Sequence, residues 1–195
     1  GYVRMKNKET IEFVSEENQL IRDKFLFMRD LYQDTLQDKK RYKKQILGSK
    51  DSFGKIFDIT RRLDTVQPQK LFIETIHIME EVLENETFAF YSLSQKSGYG
   101  RLEITSPGAR DMYTSSIKLS EYSLAMDTLE KGQVWANRQF INGYPMYMAG
   151  IRREGTLVML ICIKEAGNEQ QTLYYMNLFQ VLCGLVEPSL LRALE

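Results

Sequence analysis

The chemistry-bearing side chains of this chain are few and far apart. His77 is the only histidine and sits in the middle of ETIHIMEEV, a stretch with apolar residues at helical spacing. A lone imidazole on the side of a helix reads as a structural or surface group rather than a general base. Without a second histidine the common zinc sites are not available. Cys162 and Cys183 lie inside the apolar runs LVMLICI and LFQVLCGLV. That placement lacks the close spacing of a metal site or disulfide framework and suits buried thiols in a reducing, cytoplasmic setting. Gly98-Tyr99-Gly100 joins strand to strand, so it offers no helix N-terminus to a phosphate. The one basic cluster, KKRYKK over 39–44, could meet acidic lipid headgroups; it reads more simply as a solvated helix face. No catalytic residue, metal or cofactor is expected.

The frame that must carry these residues is set by length and charge. A chain of 195 residues builds one ordinary domain with a core plus an extension. Lys plus Arg and Asp plus Glu each number 26, which removes the broad electrostatic reason to expect a nucleic acid partner. No segment approaches the roughly 20 apolar residues of a membrane helix, and GYVRMKNKET lacks a signal peptide's apolar stretch. Membrane attachment is therefore expected only through regions outside this chain. A start on Gly1 rather than Met reads as an excised piece of a longer protein.

The polar first third carries residues at alternating steps of four and three: Val14, Asn18, Ile21, Phe25, Met28, Tyr32, Thr35, Lys39, Tyr42 and Ile46. This is a heptad seam, and Asn18 and Lys39 are the polar positions that fix register. It predicts a long coiled-coil helix over 1–48 that makes a homodimer, with Ile21, Phe25, Met28, Tyr32 and Tyr42 as dimerisation residues. A long helix lying on its own domain is the alternative. The second unit is expected over 49–195.

Gly48-Ser49 is read as a joint, followed by an amphipathic helix over 51–65 and a third helix from Pro68 to Asn85. Thereafter the period changes to two. Strands are predicted at TFAFYSL (87–93), RLEITS (101–106), QVWAN (133–137), PMYMAGIRR (145–153) and TLVMLICIKE (156–165). The wholly apolar run 157–163 predicts a central strand covered on both faces. Between them, 107–119 reads as an irregular polar loop, and Ser120 as the cap of a helix bearing Tyr122, Ala125, Met126 and Leu129. A last helix over 168–194 is expected to turn Leu173, Met176, Leu178, Val181, Leu182 and Leu185 inward.

In this order of elements, SEYSLAMDTLEKGQVWANR resembles the helix and G-x-x-V strand of GAF domains. PMYMAGIRREGTLVMLICI resembles their following pair of strands, and the likeness runs from about Leu71 to Leu191. The resemblance implies an α+β fold: a central antiparallel sheet with the terminal helices on one face and a small-molecule cavity under loops on the other. It implies a non-enzymatic regulatory or sensory role. Two signatures of ligand-binding members are missing: a bilin-attaching cysteine in 107–119, and the N-K-F-D-E pattern of cyclic-nucleotide binders. The helix-plus-GAF arrangement ending in EPSLLRALE is also similar to the cytoplasmic part of PelD-type inner-membrane regulators of exopolysaccharide synthesis. In those a degenerate GGDEF domain binds cyclic di-GMP; that domain is not within these 195 residues, so its ligand is not expected of them. Arg61-Arg62-Leu63-Asp64 spells R-x-x-D, the form of an inhibitory cyclic-di-GMP site, but away from a GGDEF hairpin it reads as local ion pairs.

For a ligand the resemblance places Trp135, Asn137, Arg138 and Tyr144 at the cavity rim, with Arg138 as partner for an anion. The strands add either Phe88 with Phe90 and Met146 with Met148, or Tyr91 with Leu93 and Tyr147 with Ala149; alternation alone leaves the choice open. The candidate set is Phe90, Trp135, Asn137, Arg138, Tyr144, Met146 and Met148. Large Met and aromatic side chains filling the hole would instead make a structural coupling domain. A redox enzyme of the GAF-type methionine sulfoxide reductase kind would need reactive loop cysteines, which Cys162 and Cys183 are not expected to be.

Overall fold

A computed structural model describes residue 61 and residues 63–195 of the chain. The heptad seam, with Ile21, Phe25, Met28, Tyr32 and Tyr42, lies outside the described residues, as does most of the helix expected over 51–65. The end of that stretch, Leu63–Thr65, is a short 3-10 turn with Leu63 buried.

Six strands form one antiparallel sheet in the order β3-β2-β1-β6-β5-β4. They are β1 (Phe88–Ser94), β2 (Tyr99–Thr105), β3 (Ser116–Lys118), β4 (Trp135–Ala136), β5 (Tyr147–Arg153) and β6 (Thr156–Ile163). The apolar run of β6 lies between β1 and β5, buried at Leu157 and from Met159 to Ile163. That is the central strand its composition predicts.

Helices α1 (Leu71–Leu83) and α3 (Leu173–Ala193) cover one face. Phe72 of α1 meets Phe90 at 6.4 Å, and Phe179 of α3 meets Phe88 at 6.4 Å and Tyr147 at 6.3 Å. The short helix α2 (Ser123–Glu130) lies on the opposite face, where Ala125 and Leu129 pack with Ala89, Tyr91, Met148 and Leu160. Pairing fixes this sorting. Phe88 opposes Ile163 and Tyr147 opposes the same residue, while Ala89 and Met148 both oppose Cys162. Cross-strand partners share a face, so the two sets point in opposite directions.

Local chemistry sets the ends of these elements. Pro68 opens a 3-10 turn that runs into α1, and Glu84 in left-handed geometry (φ 49°) ends it. The Thr172 hydroxyl caps α3 by accepting from Tyr175 N at 3.1 Å. Between the two helices, Asn85 Nδ2 donates to Glu165 O at 2.8 Å and to Gln170 Oε1 at 2.9 Å, tying the end of α1 to the approach to α3.

Several sequence expectations are corrected. The loop over 107–119 contains a 3-10 turn (Pro107–Met112) and β3, which was too short to show a period. The strand expected over 133–137 contracts to Trp135–Ala136, because Gln133 is taken by the turn after α2, where its N donates to Thr128 O at 3.1 Å. The last helix starts at Leu173 rather than at 168, where a 3-10 turn stands. Val181 is 45% exposed; the inward stripe runs through Phe179, Leu182, Cys183, Val186 and Leu190.

Candidate functional site

The face opposite α1 and α3 is built from tyrosines brought in by four different elements. Tyr91 comes from β1, Tyr113 from the loop after β2, Tyr122 from the turn before α2, and Tyr144 from the loop before β5. The Tyr91 hydroxyl donates to Thr114 O at 2.7 Å, and the Tyr113 hydroxyl to Thr87 O at 2.5 Å. These bonds fix the two rings 6.3 Å apart, edge to face. Nearer the surface the Tyr144 ring stands 5.1 Å from Tyr122 and 5.1 Å from Trp135, and its hydroxyl accepts from Leu124 N at 3.4 Å. Tyr144 is thus the middle ring of a three-ring layer that joins α2 to the edge of the sheet.

Beneath this layer lie Met148, Cys162 and Leu160, packed on Ala125 and Leu129. Burial pushes the Cys162 thiol up to about 12, with Lys164 opposing the shift. Burial likewise raises Tyr91, Tyr113 and Tyr122, with Cys162 a secondary cause. At neutral pH these groups are all protonated, and the face presents ring surfaces and hydroxyls rather than a thiolate or phenolate. Cys183, on the other side of the sheet, is also buried and shifted upward, first by burial and then by Glu187.

The seven candidate residues separate in the structure. Trp135, Tyr144 and Met148 come together on the tyrosine face. Phe90 does not: it packs under α1 against Phe72, so it leaves the candidate set. Asn137 is buried, and its side chain holds the loop that follows. Its Oδ1 accepts from Ile141 N at 2.8 Å, while Nδ2 donates to Ile141 O at 3.0 Å and Tyr144 O at 3.3 Å. No donor or acceptor of that amide faces a ligand. Arg138 is exposed, and the group on which its charge registers is Tyr147, which packs on the helical layer. Met146 is buried, its backbone held between Asn137 N at 2.8 Å and Lys164 O at 3.2 Å. Of the two strand sets, neither is correct whole: Tyr91 and Met148 share the loop side, Phe88, Phe90 and Tyr147 the helical side. Tyr113 and Tyr122 were missed as site residues, Tyr113 because it lies in a loop without a period and Tyr122 because it read as part of its helix's apolar stripe. The density of tyrosine between 91 and 147 was the available signal.

No family model matches the chain, and no curated protein does. Solved structures do. A PelD fragment from Pseudomonas aeruginosa PAO1 is 11% identical with a TM-score of 0.52, over 69% of this chain and 47% of that one. The GAF domain of an Acinetobacter phosphoenolpyruvate-protein phosphotransferase is 11% identical with a TM-score of 0.53, over 74% of this chain and 95% of that one. A fragment of a methyl-accepting chemotaxis protein is 9% identical with a TM-score of 0.53, over 69% and 96%. The fold is that of a GAF domain, and the chain spans about half, 47%, of the PelD fragment's length.

Proposed function

We propose that this chain is a non-enzymatic regulatory GAF domain of a larger signalling or polysaccharide-synthesis protein, acting as a coupling module that dimerises through its heptad segment. The observation that carries the coupling role is the layer Tyr122–Tyr144–Trp135, with both ring separations at 5.1 Å, over Met148 and Cys162. In this reading the protein's own side chains fill the space that the resemblance assigns to a ligand. Both cysteines are buried and held protonated, which speaks against thiol redox chemistry at either. The likeness to domains of a chemotaxis protein and of PelD supports a place in signalling or in exopolysaccharide regulation. Among the described residues no helix is long and apolar enough to cross a membrane.

The second reading is a small-molecule sensor in which Tyr144 swings aside. It draws on the hydroxyl's single long contact, 3.4 Å to Leu124 N. A native mass spectrum of the gently purified chain separates the readings. A dimer of bare mass is the expected result. A dimer carrying extra mass favours the sensor, and a monomer overturns dimerisation.

A further inference from the structure

Where α3 runs alongside β5 lies a cleft of about 230 Å³. The resemblance puts a ligand cavity on the opposite face, and none of the site tyrosines lines this one. Ala149 and Ile151 of β5 give it an apolar floor, and α3 lines it with Gln180 and Glu187. At that volume it is smaller than the roughly 300–1,000 Å³ of drug-sized ligand sites and suits a molecule of amino-acid size.

The two ends of the cleft differ. Tyr147 of β5 packs on Phe179 of α3 at 6.3 Å, while Arg153 Nη2 donates to Leu191 O at 2.9 Å, so strand and helix run side by side in one direction. Gln180 therefore belongs to the Ala149 end and Glu187 to the Ile151 end, two helical turns or about 10 Å apart. Arg152, the next residue of β5, lines the cleft at the Glu187 end.

Its donors are each anchored by one atom. Arg152 Nη1 donates to Glu130 O at 3.0 Å, and the guanidinium lies over Gly132, where a Cβ would stand 2.5 Å from Nη2. Gly132, at φ 77°, leaves that space open. Gln180 Oε1 accepts from Val134 N at 3.5 Å, which leaves its amide hydrogens to the cleft. Glu187 makes no ion pair or hydrogen bond among the described residues, although Arg152 lines the same cleft. Its carboxylate is near the Cys183 thiol, which burial first and Glu187 second push upward, and Cys183 lines the cleft as well. Arg152, pinned to the end of α2, is thus a fixed cation on the strand side, and Glu187 an anion on the helix side.

We propose that this cleft binds a free α-amino acid of about glutamine's size, its carboxylate on Arg152, its ammonium on Glu187 and the acceptor tip of its side chain on the Gln180 amide. A carboxylate alone would leave Glu187 without a cation, and an amine alone would leave Arg152 without an anion. Only a molecule with both charges offsets the desolvation of both. Its methylene groups cross the apolar floor, spanning the two turns of α3 between Glu187 and Gln180. Bound there, it fastens α3 to β5. The inference goes beyond the coupling role and holds whatever the tyrosine face does.

NMR titration of the whole chain with L-glutamine tests it. The amino acid should shift the backbone amides of Ile151 and Glu187 and the side-chain amide of Gln180 saturably, with half the effect at about 1 mM. Glu187→Gln and Arg152→Gln should each raise that midpoint about tenfold or more. Arg152 also holds the end of α2; should its variant not fold, Glu187→Gln decides. Two analogues each lack one charge: 4-aminobutanamide has no carboxylate and glutaramate no ammonium. Both should bind about tenfold more weakly or worse. Shifts centred on Trp135 and Tyr144 would move binding to the tyrosine face and overturn the proposal. An analogue as effective as glutamine, an unchanged midpoint in Glu187→Gln, or no shift at all would overturn it too.

Discussion

Asn137 shows how a residue that looks like a ligand contact becomes a loop anchor. Its buried amide makes three hydrogen bonds to the backbone of Ile141 and Tyr144, and so it determines where the Tyr144 ring stands. Asn137→Ala leaves the Ile141 N–H without its acceptor, a loss of about 1–3 kcal/mol. Urea denaturation should show it, together with a change in Trp135 fluorescence, since the Tyr144 ring packs against that indole at 5.1 Å. An unchanged midpoint would mean that water replaces the amide. A buried thiol and a buried phenol make a second prediction at this scale. Cys162 rises from its ordinary 9.0 to about 12, and Tyr147 from 10.0 to about 12. Each folded-state group holds its proton more tightly than the unfolded one. The stabilisation is complete below about pH 9 and is lost as pH rises from there toward about 12. The urea midpoint should accordingly fall steadily above pH ~9, and a flat profile to pH ~11 would contradict the burial of these groups.

Among the elements, β5 depends on having no side chain at Gly150. A Cβ there would stand 2.3 Å from Leu157 Cδ2, and Leu157 is buried in the packed layer with Leu129. Gly150→Ala must therefore displace Leu157, with an expected loss of about 1–3 kcal/mol. The same change made on a Leu157→Ala background should cost clearly less, because the two positions share the space. Additive losses in that double-mutant cycle would refute the account. The strands were legible in the sequence where side chains alternate over six or more residues, as in FAFYSLS and YMAGIRR, and the all-apolar run of β6 gave its central position. Three-residue β3 and two-residue β4 span less than two periods and are held by pairing partners distant in sequence, Tyr99 to Arg101 and Tyr147 to Met148. The faces needed the register as well. Phe90 and Met148 each read as apolar and inward, but only the pairing of Phe90 with Ile161 and Met148 with Cys162 puts them on opposite sides of the sheet. The candidate site was half-visible for this reason.

For the whole molecule, the decisive contact is the one that joins the chain's approach to its last helix. The Arg192 guanidinium, near the end of α3, donates to Asp64 O at 2.8 Å, to Val66 O at 3.0 Å and to Leu63 O. Arg153 Nη2 donates to Leu191 O at 2.9 Å, fastening the same turn to the β5–β6 hairpin. The stretch Leu63–Val66 before the first helix and the end of the last helix are thus fastened to each other, which suits the coupling role proposed above. In this arrangement, an upstream dimer would set the spacing of two such domains. The heptad spacing puts Phe25 and Met28 at successive core positions of the proposed seam. Replacing both with aspartate would bury like charges directly against their copies in a parallel dimer, which costs far more than the apolar contact it removes. Sedimentation equilibrium should then report about half the mass of the unaltered protein, while the exchange protection of β1, β5 and β6 stays as it was. An unchanged mass would place the seam on the protein's own surface instead, and a loss of protection in the sheet would show that the helix belongs to the core of the fold rather than to an interface.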